Sequence, residues 1–332
     1  MSALDKAAHR KPEIAAQHES VVALNGLELQ RETMLEERTL LHGLIYPEGP
    51  RWHEDHLYVA DLYAGEIVRC DLQGGRDIYM TVPAQPSGMG WLPDGRLQVV
   101  SMRDAHILLY DGQAVTVAAD LSGTTPCANE MVVDPQGRAY VGGMRNVYID
   151  KRAPAEIAAG GGDSELENLY LVEPGSTGGP SRVRIVATDL NFPNGTVITP
   201  DGKTLIIAES MAQQLTAFDI AEDGSLFDRR SWAKLGGVPD GICLDADGCV
   251  WVAICFPEDA RGFYRVAEGG EILDKIATQW VPMAVALGGP DRNHIFLVES
   301  RVVGTGDEPG VRDRGNGRVR VGRVTVPGAG IP

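Results

Sequence analysis

The stretch PNGTVITPDGKTLIIAES, Pro193 to Ser210, decides how this chain is read. An Asn-Gly pair leads an apolar run, a Pro-Asp-Gly turn follows, and a second apolar run ends it. Two apolar runs joined by such a turn are a β-hairpin signature. The phrase recurs as EGPRWHEDHLYVADLY from Glu48, SGMGWLPDGRLQVVSM from Ser87 and NEMVVDPQGRAYVGGM from Asn129. It returns as DGICLDADGCVWVAICF from Asp240 and MAVALGGPDRNHIFLVES from Met283. With the quoted copy starting at Asn194, successive starts lie 39, 42, 65, 46 and 43 residues apart.

A period near 40 residues accommodates four short strands, one blade of a propeller. The segments between the phrases, GEIVRCDLQGG, HILLYDGQAVTVAAD, QLTAFDIAEDGSL and GFYRVAEGGEIL, each read strand, turn, strand and supply the outer pairs. The expectation is an all-β, six-bladed β-propeller with four antiparallel strands per blade, one domain over residues 36–332. An ordinary β-sandwich would not keep so regular an interval. The 65-residue interval contains APAEIAAGGGDSELEN (153–168), placed in a loop projecting from the third blade. Residues 1–35 form an N-terminal extension outside the repeat. Within LNGLELQRETMLEERTLLHG (24–43), either a short helix or an outer strand closing the ring against the C-terminal GRVRVGRVTV is expected.

Composition excludes several classes. Hydrophobic residues at 43% and charged residues at 23% suit a soluble globular chain. A net charge of −16 opposes binding to nucleic acid or an anionic membrane surface. The five cysteines, Cys70, Cys127, Cys243, Cys249 and Cys255, are scattered, with neither a CxxC pair nor a disulfide framework. No apolar h-region opens the chain and no apolar run approaches 18 residues, so a cytoplasmic, soluble protein is expected.

Equivalent positions of all blades face one tunnel. The first positions of the six phrases therefore form a ring: Glu48, Ser87, Asn129, Asn194, Asp240 and Met283. Buried carboxylates without a partner are costly, and a hard cation resolves the conflict. Carboxylate and amide oxygens without His or Cys suit Ca²⁺ first, then Mg²⁺ or Mn²⁺, with Zn²⁺ a further candidate. Asn194 and Asp240 also read as plain Asn-Gly and Asp-Gly turn residues, and Glu48 as a solvated turn carboxylate.

From about residue 40 to 325 the chain resembles the senescence marker protein (regucalcin)/gluconolactonase family of six-bladed propellers. EGPRW at Glu48, ANEMVVDPQGRAYVGGM around Asn129, NGTVITPDGKTLIIAES at Asn194 and PDGICLDADGCVWVA at Asp240 carry the resemblance. It implies one divalent metal ion held by Glu48, Asn194 and Asp240, with Asn129 beside it touching substrate or bound water. It implies hydrolysis of a lactone or related carboxylic ester, the metal polarising the carbonyl and Asp240 acting as base or water activator.

One position departs from that pattern. Sugar-lactone members carry Arg two residues before the third-motif asparagine, in R-x-N-D; here Cys127 stands there and Glu130 follows the asparagine. A thiol replaces a guanidinium, so a substrate other than a typical sugar lactone is expected, with Cys127, Ser87 and Met283 lining its pocket. A buried Cys is more often a small hydrophobe than a nucleophile, and no His neighbours Cys127 in sequence. All seven histidines fall outside the ring. The second-strand ends Arg103, Arg145, Glu209, Phe256 and Glu299 are placed either at the pocket mouth or on the surface. Two other readings stand beside the hydrolase: a non-catalytic propeller binding calcium or a small ligand, and a phosphotriesterase-like hydrolase on the same scaffold. Oligomeric state is left open.

Overall fold

The computed structural model describes residues 35–145, 166–175, 181–302 and 309–331. Strand β1 (Leu35–Leu44) precedes the first blade, which is β2 (Pro47–His53), β3 (His56–Asp61), β4 (Glu66–Cys70) and β5 (Arg76–Thr81). The second blade is β6 (Pro86–Trp91), β7 (Leu97–Ser101), β8 (His106–Tyr110) and β9 (Val115–Asp120). The third is β10 (Ala128–Val133), β11 (Ala139–Gly143), β12 (Glu167–Glu173) and β13 (Arg182–Leu190). The fourth is β14 (Pro193–Ile198), β15 (Thr204–Glu209), β16 (Gln214–Ile220) and β17 (Leu226–Lys234). The fifth is β18 (Val238–Asp245), β19 (Val250–Phe256), β20 (Gly262–Val266) and β21 (Ile272–Ala277). The sixth joins β22 (Val281–Gly288), β23 (His294–Ser300) and β24 (Gly317–Arg323) to β1.

This is the expected six-bladed propeller, with all strand pairs antiparallel. Of the two alternatives for the segment before the first blade, the closing strand is the one formed. β1 pairs with β24 from Leu35↔Arg323 to Leu44↔Gly317, so both ends of the repeat region meet in one blade. A short β25 (Gly328–Ala329) adds to the inner edge of the fifth blade, and Ile331 bridges to Ile198 in the fourth. The extension (residues 1–34) and the insertion up to residue 165 lie outside the described residues; Glu167 already belongs to β12.

The hairpin turns follow their residues. Glu54 and Asp55, between β2 and β3, both take positive φ (44° and 65°), as a two-residue hairpin turn demands. In the Pro-Asp-Gly turn of the fourth blade, Asp201 Oδ1 accepts the Lys203 N–H at 3.1 Å, and Gly202 supplies φ +70°. Apolar seams bond neighbouring blades face to face. Tyr58, Ile67, Met89 and Val99 join the first two blades, and Trp251, Phe263, Ile295 and Leu297 join the last two. All eight are buried, so the blades hold the tunnel rigidly.

Candidate metal centre and active site

Each innermost strand slips its pairing at the same place. The slips fall between Glu48 and Arg51, Pro86 and Met89, Ala128 and Met131, Pro193 and Thr196, Pro239 and Ile242, and Pro282 and Ala284. A bulge re-aims side chains and ends regular pairing. Six bulges at one level thus build the ring of first positions.

The glycines after the ring residues lie within strands and make no turn. A Cβ on Gly195 would stand 2.5 Å from Ile242 N and 2.6 Å from Asp240 O, in the next blade. One on Gly241 would meet the Ala284 Cβ at 2.4 Å. Asn-Gly and Asp-Gly are therefore the signature of inner strands touching across a narrow axis.

Asn129, Asn194 and Asp240 are each 8% exposed, while Glu48 keeps part of its surface open. Burial first, and then the Glu130 carboxylate, pushes Asp240 up to about 8, against a hydrogen bond from Asn194 that lowers it. Glu48 rises well above the usual carboxylate range through enclosure, then through the charges of Asp240 and Glu130. Among the described residues neither acid forms an ion pair, and the buried guanidinium of Arg51 pairs with Glu130 at 2.8 Å.

Asn194 is oriented by its neighbours. The Ser210 hydroxyl donates to the Pro239 carbonyl at 2.7 Å and accepts from Asn194 Nδ2 at 3.3 Å. The amide nitrogen is thus occupied and its oxygen is left for a cation. Asn129 Nδ2 donates to the Pro193 carbonyl at 3.4 Å, and its Oδ1 accepts from the Ser87 hydroxyl at 3.5 Å. Met283 completes the ring as a buried apolar member.

The donors fit a hard divalent ion. Two enclosed acids repel one another beside a fixed amide oxygen, and a cation converts that repulsion into attraction. Among the described residues no three His, Cys, Asp or Glu side chains form a metal cluster by themselves.

Cys127 sits half-buried two residues before Asn129, its thiol raised by burial, which opposes a thiolate nucleophile. The Arg103 guanidinium lowers that value and the Glu167 carboxylate raises it. Arg145 lies 3.6 Å from Glu167.

Two other second-strand ends belong to neither the mouth nor the surface. Glu299 is fully buried under Arg318 and Arg320, at 2.7 Å from each. Glu209 accepts from Asn191 N–H at 2.8 Å and from Arg229 at 3.1 Å. Both tie blade corners. The described histidines lie elsewhere; His53, for one, stacks on Trp91 at 4.1 Å.

Sequence reasoning gave no site role to three residues around the ring: Arg51, Glu130 and Ser210. Glu130 carried a signal, since the residue after the ring member is Gly49, Gly88, Gly195, Gly241 or Ala284 in the other blades.

The profile of the family described as SMP-30/Gluconolactonase/LRE-like region matches residues 46–301. The 6-deoxy-6-sulfogluconolactonase of Pseudomonas putida is 28% identical over 295 residues, covering 86% of this chain and 93% of that protein. Regucalcin of Gallus gallus is 27% identical over 265 residues, 76% of this chain and 82% of that one. The crystal structure of a calcium-binding protein, regucalcin, from Agrobacterium tumefaciens superposes with a TM-score of 0.71 at 18% identity, covering 90% of this chain and 97% of that one.

Proposed function

Since the chain belongs to the SMP-30/gluconolactonase family, we propose that it is a divalent-metal-dependent hydrolase of a lactone or related carboxylic ester. The observation that carries this reading is the pair of enclosed, mutually repelling acids Glu48 and Asp240 beside the fixed amide of Asn194. Similarity to a lactonase over 86% of the chain supports the reaction class.

Glu48, Asn194 and Asp240 would hold the ion. When bound, such an ion polarises a carbonyl as a Lewis acid and favours charge on its oxygen. Asp240 accepts the proton of the attacking water and returns it to the leaving oxygen. Asn129, anchored by Pro193 and Ser87, offers an amide to the substrate from the adjacent blade. Burial of the ring limits competing water, which strengthens each polar contact.

On the substrate side, Cys127 removes the guanidinium expected two residues before Asn129. A thiol makes no paired charge-assisted hydrogen bonds, so the hydroxyl pattern of a sugar lactone finds no such partner at this position. The substrate we infer is less hydroxylated than gluconolactone. The non-catalytic calcium-binding reading draws on the calcium-binding neighbour and shares the same ring. A panel of lactones and esters, assayed after chelation and re-addition of each divalent metal, separates the two. Metal-restored turnover of at least one lactone or ester is the expected result; binding without turnover across the panel supports the second reading.

A further inference from the structure

Beneath the ring, Arg51 of the first blade crosses the tunnel. Its Nε donates to the Met89 carbonyl at 3.0 Å, and its Nη2 donates to Met131 O and to Glu130 Oε2, both at 2.8 Å. Arg51 is 6% exposed and Glu130 5%. One guanidinium thus ties three blades together on the axis.

The other Glu130 oxygen, Oε1, is buried and accepts no hydrogen bond among the described residues. It lies so close under the ring that a Cβ on Gly49, the residue after Glu48, would stand 2.9 Å from it. Gly49, Gly195, Gly241, Arg51 and Glu130 line a cavity of about 10 Å³ here, room for a single water. A buried carboxylate oxygen left unsatisfied is costly, and the glycines leave it that room. Glu130 is also the only charged residue following a ring member.

We propose that Glu130 is a positioning residue for the cation. Its free oxygen holds one water beneath the ring, and its charge completes a cluster matched to a divalent ion. Glu48, Asp240 and Glu130 against Arg51 amount to three carboxylates and one guanidinium, net −2. Among the described residues no three His, Cys, Asp or Glu side chains gather closely enough to share one ion, so Glu130 acts one layer out. The Arg51 pair fixes its carboxylate and prevents the three acids from carrying −3. Outer partners of this kind set metal affinity by about 10- to 100-fold.

This inference rests on the divalent-cation reading above. The test is calorimetric titration of chelator-treated full-length chain with Ca²⁺ and with Mn²⁺, alongside thermal unfolding in chelator. Glu130→Gln keeps the shape and an acceptor for Arg51 while removing the charge. It should raise Kd about 10- to 100-fold, with the chelator-state melting temperature held and Glu130→Asp recovering most of the loss. A Kd within about twofold of the parent overturns the proposal. So does a fall in chelator-state stability with Kd unchanged, the mark of a purely architectural pair, or a fall in both together. Failure of the parent chain itself to bind either ion overturns the cation reading as well, which separates the two failures.

Discussion

Asn194 is held by Ser210: the hydroxyl donates to the Pro239 carbonyl at 2.7 Å and accepts from the Asn194 amide at 3.3 Å. The fourth blade thereby fixes its own ring residue against the fifth. Ser210→Ala leaves the Asn194 amide free to flip and the buried Pro239 carbonyl without this donor. Metal affinity should drop about tenfold, and stability by about 1 kcal/mol. Calorimetric titration and chemical denaturation read the two effects separately; an unchanged Kd would remove Ser210 from the site.

Glu48 and Asp240 should respond differently to the same isosteric change. Glu48→Gln is expected to abolish the roughly one divalent ion per chain expected of such a site, as read by elemental analysis. Asp240→Asn keeps an oxygen of similar position and should lose less metal, while kcat falls about 100-fold or more through loss of the base. Full turnover by Asp240→Asn with metal retained would exclude it as proton acceptor.

Without a cation, stability should fall as pH rises. Asp240 is raised from 3.8 to about 8, and Glu48 is raised too, so the folded chain binds more protons than the unfolded one across that window. Folding free energy therefore declines from about pH 4 towards pH 8, where the acids ionise against each other. A cation that binds only the folded chain opposes the decline. Melting temperatures in chelator between pH 5 and 9 should slope downward, more steeply for the parent than for Asp240→Asn, and flatten with saturating metal. Identical slopes for the two chains would show that the ring is not the source.

Gluconolactone should be a poor substrate beside a more apolar lactone or ester, because a thiol at 127 cannot make paired charge-assisted hydrogen bonds. Cys127→Ala should leave kcat/KM within about tenfold, the scale of a pocket-lining contact. Loss of all turnover with metal still bound would instead make the thiol part of the chemistry. Gluconolactone emerging as the best of a broad panel would point to Arg103 as the sugar-reading cation.

The blades were legible because each repeats one short-range grammar: an inner strand, a tight turn rich in Asp, Pro and Gly, and a second apolar run. The ring was legible for the same reason, as Glu48, Asn194 and Asp240 occupy one place in that grammar. What escaped were contacts between blades. Arg51 and Glu130 lie 79 residues apart and meet only once the ring closes. Glu209 and Glu299 looked like candidates for the mouth because the tip of a second strand faces it. Their burial under Arg229 and under the Arg318–Arg320 pair depends on third and fourth strands whose register no local pattern reveals.

The pairing of β1 with β24 sets an order of events during biosynthesis. Leu44 leaves the ribosome early and its partner Gly317 late, an interval of tens of seconds at about 5–20 residues per second. Throughout that interval the outermost strand of the sixth blade, β1, waits for the inner strands β22 to β24 that it must join. The acids of the first and fifth blades then have no closed ring to confront each other across. Their mutual repulsion, and any hold on a cation, begins only when the newest part of the polypeptide captures the oldest. If the ring holds the cation proposed above, a nascent chain would acquire that affinity in a single late step, once its sixth blade has closed.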